Sequence, residues 1–216
     1  MMALCLGKGW DFVMDSNSFY GDSIYILESA LDILLGKIDL LRNYRKNMGM
    51  HDPVEHRKGR IKSEDSMIEK LTRKGLGINV DNALHQIHDA VGVRIVCSFV
   101  NDVYDMVNLI KSLDDLEVIK EKDFIANPKP NGYRSYHIIV KMKISTPEGI
   151  VELPAEIQLR TIAQDSWAAL EHQLKYKKNI SNVELIQSEL KRCADEMAST
   201  DLTLQTVREM INSDLD

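Results

Sequence analysis

Val151-Glu152-Leu153-Pro154-Ala155-Glu156-Ile157-Gln158-Leu159-Arg160 alternates in character over ten positions, and its period of two is that of a strand with one buried face. Val151, Leu153, Ala155, Ile157 and Leu159 face a core, which leaves Glu152, Glu156, Gln158 and Arg160 together on the other side. Three more stretches read as strands of the same sheet: β-branched Ala90 to Phe99, mixed Val118 to Ile125 and apolar-rich Ser135 to Ile144. Between the first two, Val103, Val107, Ile110 and Leu113 carry helical spacing, so Asn101 to Leu113 is expected to cross over. Thr161 to Lys177 continues as a helix with Ala163, Trp167, Leu170 and Leu174 on one side. At the ends, Ile24, Leu27, Leu31, Leu34, Ile38 and Leu41 form one narrow helical stripe. Ile186, Leu190, Cys193, Met197, Thr200, Leu204, Val207 and Ile211 form another. The expected fold is α/β (α+β), a mixed sheet of four strands, mainly antiparallel in its later part, flanked by helices. Residues 1–20 read as an N-terminal extension, 21–180 as the central domain and 181–216 as a helical segment suited to oligomerisation.

The 216 residues are 44% hydrophobic and 28% charged, enough for a substantial core and unlike a disordered or collagenous chain. A net charge of −6 argues against a protein that coats nucleic acid or an anionic membrane. The charge is uneven: Arg42 to Lys74 holds ten bases and five acids, a local +5, and leaves −11 for the remainder. Such a block is either a solvated helical face or an anion site in an acidic protein. Cys5, Cys97 and Cys193 are too far apart for a disulfide framework or a zinc knuckle and fit a reducing cytoplasm. Met1 to Gly9 lacks a basic leader, and no apolar run approaches the roughly 20 residues of a membrane span.

A polar strand face can be plain solvent exposure. The turn Lys129-Pro130-Asn131-Gly132-Tyr133-Arg134 feeds a strand on which Tyr133, Ser135 and His137 share one side, offering a stacking ring, a hydroxyl and an imidazole beside two cations. Asp89, just before the strand at Ala90, is by itself a turn or capping residue, but with a carboxylate on a neighbouring strand it could hold Mg²⁺. Arg60 and Lys62 precede a helix starting near Ser63, with Ser66 and Lys70 on it, and a helix N-terminus so flanked suits phosphate. The pairs His51-Asp52 and His88-Asp89 lack the further ligands that a metal-dependent phosphohydrolase needs.

Taken in order, Gly59-Arg60-Ile61-Lys62, Asp89-Ala90-Val91-Gly92-Val93-Arg94-Ile95, Lys122-Asp123-Phe124-Ile125, Asn131-Gly132-Tyr133-Arg134-Ser135-Tyr136-His137, Glu156-Ile157-Gln158-Leu159-Arg160-Thr161 and Trp167 to Tyr176 closely resemble the synthetase domain of the RelA and SpoT alarmone enzymes. The chain is similar, more narrowly, to the small alarmone synthetases of the RelQ or RelP type, over about Leu41 to Lys177. The resemblance implies a nucleotidyltransferase-like synthetase fold. The implied activity moves the β,γ-pyrophosphate of ATP to the 3′-hydroxyl of GDP or GTP, or of GMP, without hydrolysing the product. It implies that Asp89 and Glu156 hold Mg²⁺, with Glu156 also the base, and that Arg60 and Arg94 sandwich adenine. Lys62, Ser66, Lys70, Lys122, Lys129 and His137 would gather ATP phosphates. Tyr133 would stack on guanine with Asn131 at its edge and Arg134 in the same strip. A homotetramer, a pppGpp effector cleft between subunits and single-stranded RNA as a partner are also implied. The alternatives are a toxic relative that modifies tRNA or adenosine nucleotides, and a non-catalytic nucleotide- or RNA-binding module. Eight acids against three bases from Ser181 onward suit a tRNA grip poorly.

Overall fold

A computed structural model describes residues 19–175 and 182–214, so most of the expected N-terminal extension and the stretch before the last helix lie outside the described residues. After a single 3₁₀ turn (Gly21–Ser23) come α1 (Ile24–Asn47), β1 (Val54–Ile61), α2 (Glu64–Arg73), α3 (Val80–His85), β2 (Val91–Cys97) and α4 (Val100–Lys111). The chain continues through β3 (Glu117–Asp123), β4 (Tyr136–Thr146), β5 (Gly149–Thr161), α5 (Ile162–Lys175) and α6 (Val183–Ser213). The sheet is ordered β1-β2-β5-β4-β3, with β2 and β5 parallel and the other neighbours antiparallel.

The sheet has five strands, not the four expected, and the added one is β1. Its sequence Val54-Glu55-His56-Arg57-Lys58-Gly59-Arg60-Ile61 has apolar residues only at its ends, and an edge strand this charged carries no period-two hydrophobic signal. Backbone pairing to β2 and one close approach fix it in place. A Cβ on Gly59 would stand 2.6 Å from Leu31 Cδ1, so glycine lets β1 lie directly on α1.

One sheet face is covered by α1 and α4. Leu27, Leu34 and Ile38 of α1, Val103, Met106 and Ile110 of α4, and Val91, Val93, Ile95, Ile138, Val140, Leu153, Ala155 and Ile157 of the strands are all essentially inaccessible. The alternation read in β5 is therefore correct: its apolar set faces this core.

Both edge strands are bulged, and the bulges decide what the opposite face carries. In β1, Val54 pairs with Cys97 but His56 with Val96, so Glu55 is an inserted residue; in β3, Val118 pairs with Val140 but Lys120 with Ile139, so Ile119 is inserted. Without these insertions Lys58 and Arg60, and likewise Lys120 and Lys122, would follow Val54 and Val118 onto the core face. One extra residue in each strand turns all four cations to the open face.

The long C-terminal helix departs from the expected single stripe. Ala194, Asp201 and Gln205 are its buried residues, while Leu204, Val207 and Ile211 are about half exposed. Polar contacts set its roll: Trp167 Nε1 donates to Leu190 O at 2.8 Å, the Thr161 hydroxyl to Asp201 at 2.6 Å, and Arg208 pairs with buried Asp102 at 2.7 Å. Hydrophobic periodicity does not register such contacts. No described helix is long and apolar enough to cross a membrane.

Candidate active site

Strand register alone assembles the open face. One row across the sheet runs Arg60, Gly92, Glu156, Ile139, Lys120, and the next runs Lys58, Arg94, Gln158, His137, Lys122. Paired residues in adjacent strands share a face, so cations from both edges converge on Glu156 at the centre. Gly92, between Arg60 and Glu156, leaves the space that a side chain would fill.

Asp89 meets this face from the turn before β2. Lys62 Nζ lies 3.0 Å from Asp89 Oδ2, and Lys70 Nζ lies 2.7 Å from Oδ1. Burial pushes the Asp89 carboxyl up, but the two ammonium groups outweigh it and hold the carboxyl below the usual range. Glu156 follows the same logic. Its desolvation is outweighed by His137, whose Nδ1 is 3.1 Å from Oε1, and by Gln158, whose Nε2 donates to Oε2 at 2.7 Å. Both carboxyls are thus ionised at neutral pH.

Asp89 and Glu156 line two cavities at once. The first, of about 110 Å³, is completed by Lys58, Arg60, Gly92, Val93, Arg94 and Gln158. The second, of about 250 Å³, adds Lys70, Lys74, His88, Lys120, Lys122 and His137. One side thus offers planar guanidinium groups and the other point charges, a division that matches stacking on a base and neutralising phosphates.

A third region joins through His137. The Tyr133 hydroxyl lies 2.8 Å from His137 Nε2 and accepts from Arg160 Nη2 at 2.7 Å. His137 thus links Arg160 and Tyr133 on one side to Glu156 on the other. Lys129 Nζ sits 4.6 Å from the Tyr133 ring centroid and 4.7 Å from that of Phe124. Asn131 bonds the Tyr133 amide and Glu171, shaping the loop. Gly132, at φ +88°, presses against α6, where an added Cβ would be 2.6 Å from Ala194 Cβ.

Of the thirteen residues singled out in the sequence, Asp89, Glu156, Arg60, Arg94, Lys70, Lys122 and His137 line the two cavities, and Lys62 reaches them through Asp89. Tyr133, Asn131 and Lys129 belong to the adjoining loop. Two are placed elsewhere. Ser66 is exposed on α2 and accepts from the Ser63 hydroxyl. Arg134 is turned toward α6, donating to Ala194 O at 3.2 Å and Asp195 Oδ1 at 3.0 Å. Ser135, expected beside Tyr133 and His137, is buried and donates to Leu159 O. Lys58, Lys74, Lys120 and Gln158 were not singled out as ligands. For Lys58 and Lys120 the signal is cross-strand register, which requires the two bulges to be known; Gln158 lies on the polar face already read in β5, and Lys74 ends α2.

A family model described as the region found in RelA / SpoT proteins matches residues 59–181, a segment that holds both carboxylates and both rows of the open face except Lys58. The chain belongs to the RelA/SpoT family. Among RelA/SpoT relatives, GTP pyrophosphokinase YwaC of Bacillus subtilis is 42% identical over 174 residues, covering 81% of this chain and 83% of that one. GTP pyrophosphokinase YjbM of the same organism is 31% identical over 179 residues, covering 83% of each. The structure of small alarmone synthetase 2 from Bacillus subtilis matches with a TM-score of 0.79 at 39% identity, covering 88% of this chain and 98% of that one. That of small alarmone synthetase 1 bound to its product pppGpp matches with a TM-score of 0.77 at 31% identity, covering 86% and 94%.

Proposed function

We propose that this RelA/SpoT-family chain is a (p)ppGpp synthetase that joins ATP and GDP or GTP across the Asp89/Glu156 wall. The observation that carries the reading is that one pair of ionised carboxylates lines both an arginine-walled and a lysine-walled cavity. In the reaction the acceptor's 3′-oxygen bonds to the β-phosphorus of ATP, the bond from that phosphorus to the α,β-bridging oxygen breaks, and AMP leaves. Glu156 takes the 3′-hydroxyl proton, with His137 and Gln158 holding its carboxylate in place. Arg60 and Arg94 clasp adenine, and Lys62, Lys70, Lys122 and His137 hold the phosphates in line. Tyr133 stacks on guanine at the end of the relay to Glu156.

A divalent cation fits these residues. Asp89 and Glu156 supply hard oxygen ligands in the number that Mg²⁺ takes beside substrate phosphates, and no cluster of three or more His, Cys, Asp or Glu among the described residues offers a complete protein cage instead. When bound, the ion would neutralise charge on the transferring phosphates. Self-association to a homotetramer is supported by apolar residues left exposed on α1 and α6, among them Leu40, Tyr44, Leu204, Val207 and Ile211.

The test is to incubate the protein with ATP and Mg²⁺ and each of GDP, GTP, GMP, ATP, tRNA or no acceptor. Guanosine products carrying a 3′-diphosphate are expected with GDP or GTP. Transfer confined to tRNA or to an adenosine acceptor would replace this reading with that of a toxic relative. Nucleotide binding without any product would leave a non-catalytic module.

A further inference from the structure

Arg160 and Asp165 form a largely enclosed ionic contact beside the open face. The Arg160 side chain is 6% exposed and that of Asp165 19%, with Arg160 Nη1 3.0 Å from Asp165 Oδ1. The other Arg160 terminal nitrogen, Nη2, donates to the Tyr133 hydroxyl at 2.7 Å and to Gln158 Oε1 at 3.0 Å. The same Asp165 oxygen also lies 3.1 Å from Arg94 Nη1. A single carboxylate oxygen, at the start of α5, therefore holds the arginine assigned to adenine and the arginine that fixes the ring assigned to guanine.

The charges make this arrangement depend on Asp165. Arg94 is half-buried, and burial followed by the neighbouring Arg160 charge pushes its guanidinium below its ordinary value, while Asp165 opposes that push. Two cations drawn out of water side by side repel unless an anion sits between them. Nothing in the reaction uses Asp165 directly, because it reaches the nucleotides only through Arg94, Arg160 and Tyr133.

We propose that Asp165, acting through Arg94 and through Arg160, is a positioning residue shared by the donor and acceptor sites, so that its loss weakens both nucleotides at once without altering the chemical step. This rests on the pyrophosphate-transfer reading above. A purely structural ion triad would instead reduce the fraction of folded enzyme, lowering kcat and leaving each KM in place. An interaction made equally in the ground state and the transition state behaves oppositely.

The experiment is steady-state kinetics of Asp165→Asn and Asp165→Glu with ATP and GDP each varied, alongside thermal melting of each variant. Asp165→Asn is expected to raise the KM for ATP and the KM for GDP about fivefold or more each, the loss of a charge-assisted hydrogen bond, with kcat within about threefold. Asp165→Glu is expected to recover most of both. A change in only one KM, a fall in kcat at constant KM, or no change at all overturns the proposal. Should Asp165→Asn melt below the assay temperature, Arg160→Lys decides. It keeps the charge but cannot reach Asp165 and Tyr133 together, and it is expected to raise the KM for GDP more than that for ATP; an unchanged KM for GDP overturns the proposal. Absence of AMP and ppGpp from the wild-type protein would defeat the pyrophosphate-transfer reading itself, whereas an active wild type with unshifted variants defeats only the role of Asp165.

Discussion

Glu156→Gln is expected to lower the rate of pyrophosphate transfer by about a thousandfold or more, the upper part of the range for a general base that also serves a metal, while both nucleotides bind within a few fold of wild type. The substitution is nearly isosteric. A glutamine oxygen still accepts from His137 Nδ1, and its position opposite Gly92 and Ile139 in the register is unchanged. It loses the negative charge that His137 and Gln158 favour against the cost of burial. Single-turnover rates with saturating ATP and GDP, together with calorimetric binding of each nucleotide, separate chemistry from affinity. A transfer rate within a few fold of wild type would remove Glu156 from the role of base.

Tyr133→Ala is expected to weaken GDP by about 10- to 100-fold, the magnitude of losing one aromatic platform under a base, and to change ATP only a few fold. The asymmetry follows from position. Tyr133 lies in the loop beyond β3 and meets the open face at His137 and Arg160, through its hydroxyl and its ring, whereas Arg60 and Arg94 line the first cavity with no contribution from that loop. The ring is braced by Arg160 and Lys129, so its removal leaves those cations in the acceptor region. Titrating each nucleotide separately reads the difference, and equal losses for both would show that Tyr133 supports the sheet rather than the base.

What could be read from the residues follows physical lines. β5 was legible because its core face is uniformly apolar and its period is unbroken from Val151 to Leu159, and this placed Glu156 on the face opposite the core. β1 was not legible, for two reasons: its residues are mostly charged, and the bulge at Glu55 shifts its period by one. The same kind of shift at Ile119 concealed that Lys120 joins Lys122 on the open face. Arg134 sits in the same strip of sequence as Tyr133, yet the loop turns at Gly132 and its guanidinium goes to α6. Neighbourhood in sequence gave no direction there. The network around Arg160 and Asp165 depends on the junction of β5 and α5 bringing side chains five residues apart into contact with Arg94 on another strand. Composition also concealed a local fact: the cationic face sits within a chain whose net charge is −6, and it joins Lys58, Arg60, Lys70 and Lys74 of the basic block to Arg94 of β2 and Lys120 and Lys122 of β3.

The most direct measurement follows the phosphates themselves. The protein is given ATP carrying label in its β- and γ-phosphates, with unlabelled GDP and Mg²⁺, and every product is separated and counted. The two cavities meeting at Asp89 and Glu156 predict that both labelled phosphates move together to the 3′-position of the guanosine nucleotide, with one unlabelled AMP formed for each. Release of labelled ADP, transfer of the γ-phosphate alone, or label appearing as free pyrophosphate with no guanosine product would contradict it.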